Sequence, residues 1–207
     1  MAQYFKIHPD NPQQRLITQS IAIIRQGGVI AYPTDSCYAL GCLIGIKSAQ
    51  DRMLQIRGLN PDHPLTIICR DLSEISSIAK VDNTAFRLIK RLTPGPYTFL
   101  LKASRDIPKR LQHPKRKTIG LRIPDNQICQ ALLEALAEPL LSTSMVLPGQ
   151  DIPETDPLEI NHKIGSAIDL ILDGGSIGSE VTTIIDMSQD SPEIIRAGKG
   201  DVSFTIN

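Results

Sequence analysis

Two short runs of hydroxyl-bearing residues concentrate the chemistry of this sequence. Thr34-Asp35-Ser36 follows Pro33 directly, and Ser142-Thr143-Ser144 precedes Met145-Val146-Leu147-Pro148-Gly149. Proline has no N–H to give to a strand ladder, so Pro33 ends the apolar run from Val29 to Tyr32 and leaves two hydroxyls and a carboxylate at a strand end. Open α/β sheets gather their ligand groups at such ends. The same residue types are common in ordinary polar turns, and spacing alone leaves both readings open. In the second run, three consecutive hydroxyls beyond the strand Leu140-Leu141 can hold phosphate or carboxylate oxygens. Arg57 stands on the last turn of a helix that must stop near Gly58, where its guanidinium can reach into the loop from Gly58 to Pro64. A C-terminal arginine also suits the helix macrodipole, and placement alone favours that capping role.

The chain has 207 residues and no Ser/Gly-rich linker, so one domain is expected. No stretch resembles a signal peptide and no apolar run approaches the roughly 18 residues of a membrane span, which predicts a soluble cytoplasmic protein. The four cysteines (37, 42, 69, 129) and four histidines (8, 63, 113, 162) show no metal-ligand spacing, and the thiols are expected to be free and buried or half-buried. Net charge is formally zero, yet residues 52–122 hold 15 Lys/Arg against 5 Asp/Glu, while residues 151–193 hold 10 acids against Lys163. The basic surplus favours phosphate, from a nucleotide or from RNA. With four Phe, four Tyr and no Trp, a base-stacking platform is poorly supported. The two commonest glycine-rich phosphate loops, G-x-G-x-x-G and G-x-x-x-x-G-K-[ST], are absent.

The elements that must position these groups follow from periodicity. Gln3 to Ile7 reads as an edge strand. Asn11-Pro12 reads as a helix start, with Ile17, Ile21 and Ile24 as its apolar stripe and Gly27-Gly28 as its stop. Ser48-x-x-Asp51 resembles a capping box, and Ala49, Met53 and Ile56 form the buried face of a second helix. Leu65 to Cys69 suits an interior strand, followed by helices over 72–78 and about 83–92, the latter with Phe86 and Ile89 inward. Thr93-Pro94-Gly95-Pro96 is a turn and 97–102 a strand. The segment 102–117, with seven Lys/Arg and only Asp106 in opposition, reads as an exposed basic loop. Strand 118–122 follows, then a helix with Ile128, Leu132, Ala135 and Leu136 inward. Strands are expected at 168–172, 182–186 and 193–196. Helices alternate with strands through residue 146 and strands dominate afterwards, which predicts an α/β open sheet of mixed strand directions.

Eight segments in order carry a family resemblance: Pro33-Thr34-Asp35, Ile56-Arg57, Pro64-Leu65, Pro94-Gly95-Pro96-Tyr97-Thr98, Thr118-Ile119-Gly120-Leu121-Arg122, Ser142-Thr143-Ser144, Thr182-Thr183-Ile184-Ile185-Asp186 and Arg196-Ala197-Gly198. From about residue 13 to 199 the chain resembles the YrdC/YciO family of L-threonylcarbamoyladenylate synthases and their relatives, closest to the YciO branch. The resemblance implies a twisted open mixed α/β sheet with helices on its faces and a concave basic cleft. It implies conversion of L-threonine, bicarbonate and ATP, with Mg²⁺ as part of the substrate complex, into threonylcarbamoyl-AMP and pyrophosphate, a step towards N6-threonylcarbamoyladenosine in tRNA. Position by position, Thr34, Arg122, Ser142 and Thr182 would hold threonine, Arg122 as a bidentate clamp on its carboxylate. Arg57, Thr118, Ser144 and Arg196 would contact the nucleotide, ATP or AMP. No side chain is required as nucleophile, no metal ligand is implied, and no tightly bound cofactor is expected; positioning and charge neutralisation can carry the reaction.

The departures are specific. Family synthases carry Lys-x-Arg where this chain has Gln55-Ile56-Arg57, Ser-x-Asn where it has Ser144-Met145-Val146, and in many members a histidine where it has Ile68. Losing one transition-state charge partner costs on the order of 10²–10³ in rate. His63 or Lys47 can compensate only from a neighbouring position. The alternative reading is a non-catalytic protein that holds double-stranded RNA, tRNA or rRNA in the same basic cleft, since A-form RNA can be bound by shape and phosphates.

Overall fold

The apolar runs and stripes assemble into ten strands and six α-helices among the described residues, which are 1–105, 107–189 and 191–203 of the computed structural model. The strands are β1 (Gln3–Lys6), β2 (Ile30–Tyr32), β3 (Ala39–Leu43), β4 (Thr66–Ile68), β5 (Tyr97–Lys102), β6 (Thr118–Arg122), β7 (Leu140–Ser144), β8 (Leu170–Asp173), β9 (Thr183–Asp186) and β10 (Glu193–Arg196). The helices are α1 (Gln14–Arg25), α2 (Lys47–Ile56), α3 (Leu72–Ile78), α4 (Asn83–Leu92), α5 (Gln127–Leu136) and α6 (Pro157–Ile164). All the strands join in a sheet of order β1-β8-β2-β3-β7-β4-β6-β5-β9-β10. The pairs β1–β8, β8–β2, β4–β6 and β5–β9 are parallel and the others antiparallel, so the expected mixed α/β sheet is the one that forms.

Alternation along the strands sorts the side chains onto two faces. On one, Leu40, Ile67, Phe99, Leu121 and Ile185 pack with Met53, Ile75 and Ile89 of α2, α3 and α4. On the other, Ile30, Tyr32, Leu140, Leu170 and Leu172 pack with Ile17, Ile21 and Ile24 of α1 and Leu132 and Leu136 of α5. Truncating Ile24, fully buried there, to Ala should cost about 2–5 kcal/mol. Past Leu140 and Ile68 this second face changes character. Ser142 pairs in register with Thr66 and Gly41, Thr66 with Gly120, and Thr98 with Ile184. Small and polar side chains replace large apolar ones, and a concavity results.

Several elements fall where the periodicity puts them: α3, α4, β5 and β6 match residue for residue. Others do not. The helix start expected at Asn11-Pro12 lies at Gln14, because Asp10 and Asn11 donate their N–H groups to His8 Nδ1 in a separate turn. Ser48 caps nothing: α2 begins at Lys47, and Asp51 pairs with Lys47 at 3.3 Å. Phe86 points outward, 43% exposed, because the inward stripe of α4 is Ala85 and Ile89. Ala135 is likewise exposed, and Leu133 takes its place in the core. The hydroxyls 142–144 are part of β7 itself, not of a turn beyond it. Strand β3 and helix α6, the latter capped by Asp156 with Pro157 in its first turn, were not expected. The cysteines are free and buried. In the basic segment Lys109, Arg110, Lys115, Arg116 and Lys117 are exposed, and Asp106 lies outside the described residues.

Candidate functional site

The concavity holds a cavity of about 190 Å³ that is bounded by the ends of several elements. Arg57 comes from the end of α2, His63 and Pro64 from the loop before β4, and Thr66 and Ile68 from β4. Thr98 of β5, Arg122 of β6, Ser142–Ser144 of β7, Val146, Thr182 and Arg196 complete most of the wall. Six of the eight expected residues therefore meet: Arg57, Arg122, Ser142, Ser144, Thr182 and Arg196. Thr34 and Thr118 are not among the lining residues. Thr118 shares a face of β6 with Arg122 but sits at the strand's opposite end.

Arg122 is held from behind. Its Nη2 donates to Asp35 Oδ1 in a buried ion pair and to Thr34 Oγ1 at 3.2 Å. Both protons of Nη2 are thus committed, and Nη2 belongs to each two-donor edge of a guanidinium. The expected bidentate clamp on a ligand carboxylate is unavailable while Asp35 stays in place. Arg122 Nε and Asp35 Oδ2 are buried and unpartnered among the described residues. Thr34 is saturated as well: Oγ1 donates to Cys37 O at 2.7 Å and accepts from the N–H groups of Ser36 and Cys37. Its geometry suits shaping the loop and orienting Arg122, not touching a ligand. The Thr34-Asp35-Ser36 run is therefore both a tight polar turn and a support for the cavity.

Two further guanidinium groups carry no carboxylate partner among the described residues. Arg57 has a buried, unpartnered Nε, and burial lowers its pKa. Arg196 donates from Nε and Nη2 to Thr182 O at 3.1 and 2.9 Å, and burial lowers its pKa too. Thr182 Oγ1 shares a 2.8 Å hydrogen bond with Thr98 Oγ1. Burial, then the Arg57 charge, hold the His63 imidazole below its ordinary value. Three arginines against one nearby carboxylate leave the cavity with a net positive field, suited to an anion. Arg57 is the C-cap residue of α2, as helix placement favoured, and its side chain also lines the cavity.

The departures separate in space. Val146 lines the cavity, whereas Gln55 is exposed and borders a second groove with Lys47, Asp51 and Arg110. Of the two compensating candidates, His63 is in the cavity wall and Lys47 is not. Sequence reasoning assigned no role to Thr66 or Thr98. Their signal was alternation: Thr98 between Tyr97 and Phe99 must face away from the aromatic pair.

A family model described as "Telomere recombination", covering Sua5, YciO and YrdC proteins, matches residues 22–198. The uncharacterised protein YciO of Escherichia coli K12 is 56% identical over 202 residues, 98% of each chain, and a crystal structure of E. coli YciO superposes with a TM-score of 0.94 over 98% of both. A threonylcarbamoyl-AMP synthase of Pyrococcus abyssi is 31% identical over 84% of this chain and 52% of its own length. A crystal structure of P. abyssi Sua5 complexed with L-threonine is 27% identical with a TM-score of 0.86, covering 94% of this chain and 57% of that one. The present chain spans about half the length of these two synthase-type matches.

Proposed function

The chain belongs to the Sua5–YciO–YrdC family, and from that premise we propose that its cleft binds L-threonine beside ATP and joins them, with bicarbonate, into threonylcarbamoyl-AMP. The threonine amine condenses with bicarbonate, releasing water and giving a carbamate. A carbamate oxygen then attacks the α-phosphorus of ATP, and pyrophosphate leaves with Mg²⁺, which arrives as part of the nucleotide substrate. This chain's residues would act by position and charge. Arg122 meets the threonine carboxylate through Nη1, and Arg57 and Arg196 neutralise phosphate, with Ser144 beside them. Thr182 carries Arg196 through its carbonyl and hydroxyl. Thr118, on the cleft face of β6, suits the outer part of the nucleotide. The threonine complex of the P. abyssi Sua5 structure supports the choice of amino acid.

The observation that carries this reading is the pair Arg57 and Arg196, two cationic side chains in one cavity without a carboxylate partner among the described residues. Arg57 is half-buried and Arg196 exposed at the cavity rim, so both stay charged and within reach of an incoming anion. The test is pyrophosphate release with ATP, Mg²⁺, bicarbonate and L-threonine, together with mass detection of the acyl-adenylate. Release that needs all four, and that falls on the order of 10²–10³-fold in Arg57→Ala, supports the reading. Release that ignores threonine refutes it. The exposed cations of the 102–117 loop favour a second reading, RNA held without turnover in the cytoplasm. That reading requires RNA affinity that falls with log salt at a slope of about −0.7 to −0.9 per phosphate contact.

A further inference from the structure

Of the cavity's hydroxyls, Ser142 has its donor–acceptor polarity fixed. Its Oγ donates to Leu40 O at 3.0 Å, and a serine has one proton to give. The 2.7 Å contact between Ser142 Oγ and Tyr32 Oη therefore has the tyrosine as donor. Tyr32 is fully buried, and burial pushes its pKa far up, so the phenol keeps its proton throughout the physiological range. Both Oγ partners lie behind the wall. A single lone pair is left to face the cavity, and towards a ligand Ser142 can only accept while this arrangement holds.

The strand register shows that this contact is built in. Tyr32 pairs with Ala39, whereas Ser142 pairs with Gly41, one pleat further along β3. The Tyr32 ring must lean across Gly41 to reach Ser142, and a Cβ at position 41 would stand 2.8 Å from the ring. Glycine at 41 leaves room for that approach. The remaining groups complement an acceptor. Arg57, Arg122 and Arg196 supply donors for an anionic end, and Ile68, Val146 and Ile184 supply apolar surface.

We propose that Tyr32 is a positioning residue that fixes Ser142 as the acceptor for a hydroxyl on the ligand's side chain, so that the cavity selects L-threonine over its methyl isostere L-valine. The proposal rests on the threonine reading of the cleft. A site built to bond a substrate hydroxyl rejects the analogue lacking it far more strongly than a hydrophobic pocket separates isosteres, by up to about 10⁴–10⁵-fold. Without the Tyr32 phenol, the Ser142 hydroxyl loses the contact that keeps its proton on Leu40 O, can rotate that proton towards the ligand, and the preference weakens.

Titration calorimetry of L-threonine and L-valine into wild type, Tyr32→Phe and Ser142→Ala tests this, with melting curves to establish that each variant is folded. Wild type should prefer threonine by at least about 100-fold. Tyr32→Phe should lose at least about tenfold of that ratio, and valine affinity should stay as in wild type. Ser142→Ala should lose the preference altogether, which keeps the acceptor assignment testable if Tyr32→Phe fails to fold. A Tyr32→Phe protein with the full preference overturns the role of Tyr32, and an unchanged ratio in Ser142→Ala overturns the acceptor assignment. Absence of threonine binding in wild type overturns the threonine reading and this proposal with it.

Discussion

Asp35→Asn separates the two roles that the Asp35–Arg122 pair plays, anchor of the fold and competitor for the ligand. The two side chains are 10% and 6% exposed, so this is a buried pair and salt screens it little. Removing one charge from a buried pair costs about 3–5 kcal/mol, because the remaining charge is left uncompensated. Asparagine keeps an oxygen for Arg122 Nη2, which places the loss near the lower end, about 3 kcal/mol, or about 6–12 °C in melting temperature for a chain of this size. The ligand dependence should run the other way. A ligand at 100 times its Kd stabilises by about 2.7 kcal/mol, and in the variant a neutral amide oxygen holds Nη2 more weakly than a carboxylate, so the threonine carboxylate competes for Nη2 and gains a two-donor edge. The melting shift that L-threonine produces should therefore be larger in Asp35→Asn than in wild type. Scanning calorimetry with and without threonine reads both effects. A loss below about 1 kcal/mol, or equal threonine shifts in the two proteins, would refute the reasoning.

Other outcomes follow from the same geometry. Val146→Asn, inside the cavity, should strengthen ATP binding by about 10–100-fold if the amide bonds a phosphate, whereas Gln55→Lys, on the second groove, should change it little; equal effects would place Gln55 in the cavity. Folded His63 takes up a proton less readily than the unfolded chain, whose value is 6.5, so its contribution to stability is full above pH 6.5 and is lost as pH falls through the lowered folded value. Bound pyrophosphate should raise the His63 pKa again, so its affinity should increase from pH 8 to pH 6. An NMR titration of His63 that pyrophosphate leaves unmoved would contradict that placement.

Where the sequence was readable, one local signal dominated. The stripe of α1, the bounds of α3 and α4, and the Thr93–Pro96 breaker each agree with the tertiary structure. Strand β3 escaped because Ala39-Leu40-Gly41-Cys42-Leu43 has small residues and a glycine where strands usually carry branched ones. Its small side chains are explained only by what crosses them, the ring of Tyr32. Helix α6 escaped although Asp156-Pro157 is a proper start, because the eight-residue helix gives little periodic signal. In the site, residue types were legible and their partners were not. Arg122 read as a free clamp, yet its Nη2 faces Asp35, 87 positions away in sequence. Thr34 read as a ligand group, yet its hydroxyl is consumed by its own turn. Such pairings depend on sheet order, which periodicity does not encode.

Arg122 holding the amino acid in this cleft is tested most directly by one titration: L-threonine into the wild-type protein and into Arg122→Ala, in the presence of ATP and Mg²⁺. Saturable heat in the wild type that disappears in a folded Arg122→Ala is the predicted result. No heat in the wild type, or equal heat in both proteins, would contradict the claim that this cleft holds the amino acid through Arg122.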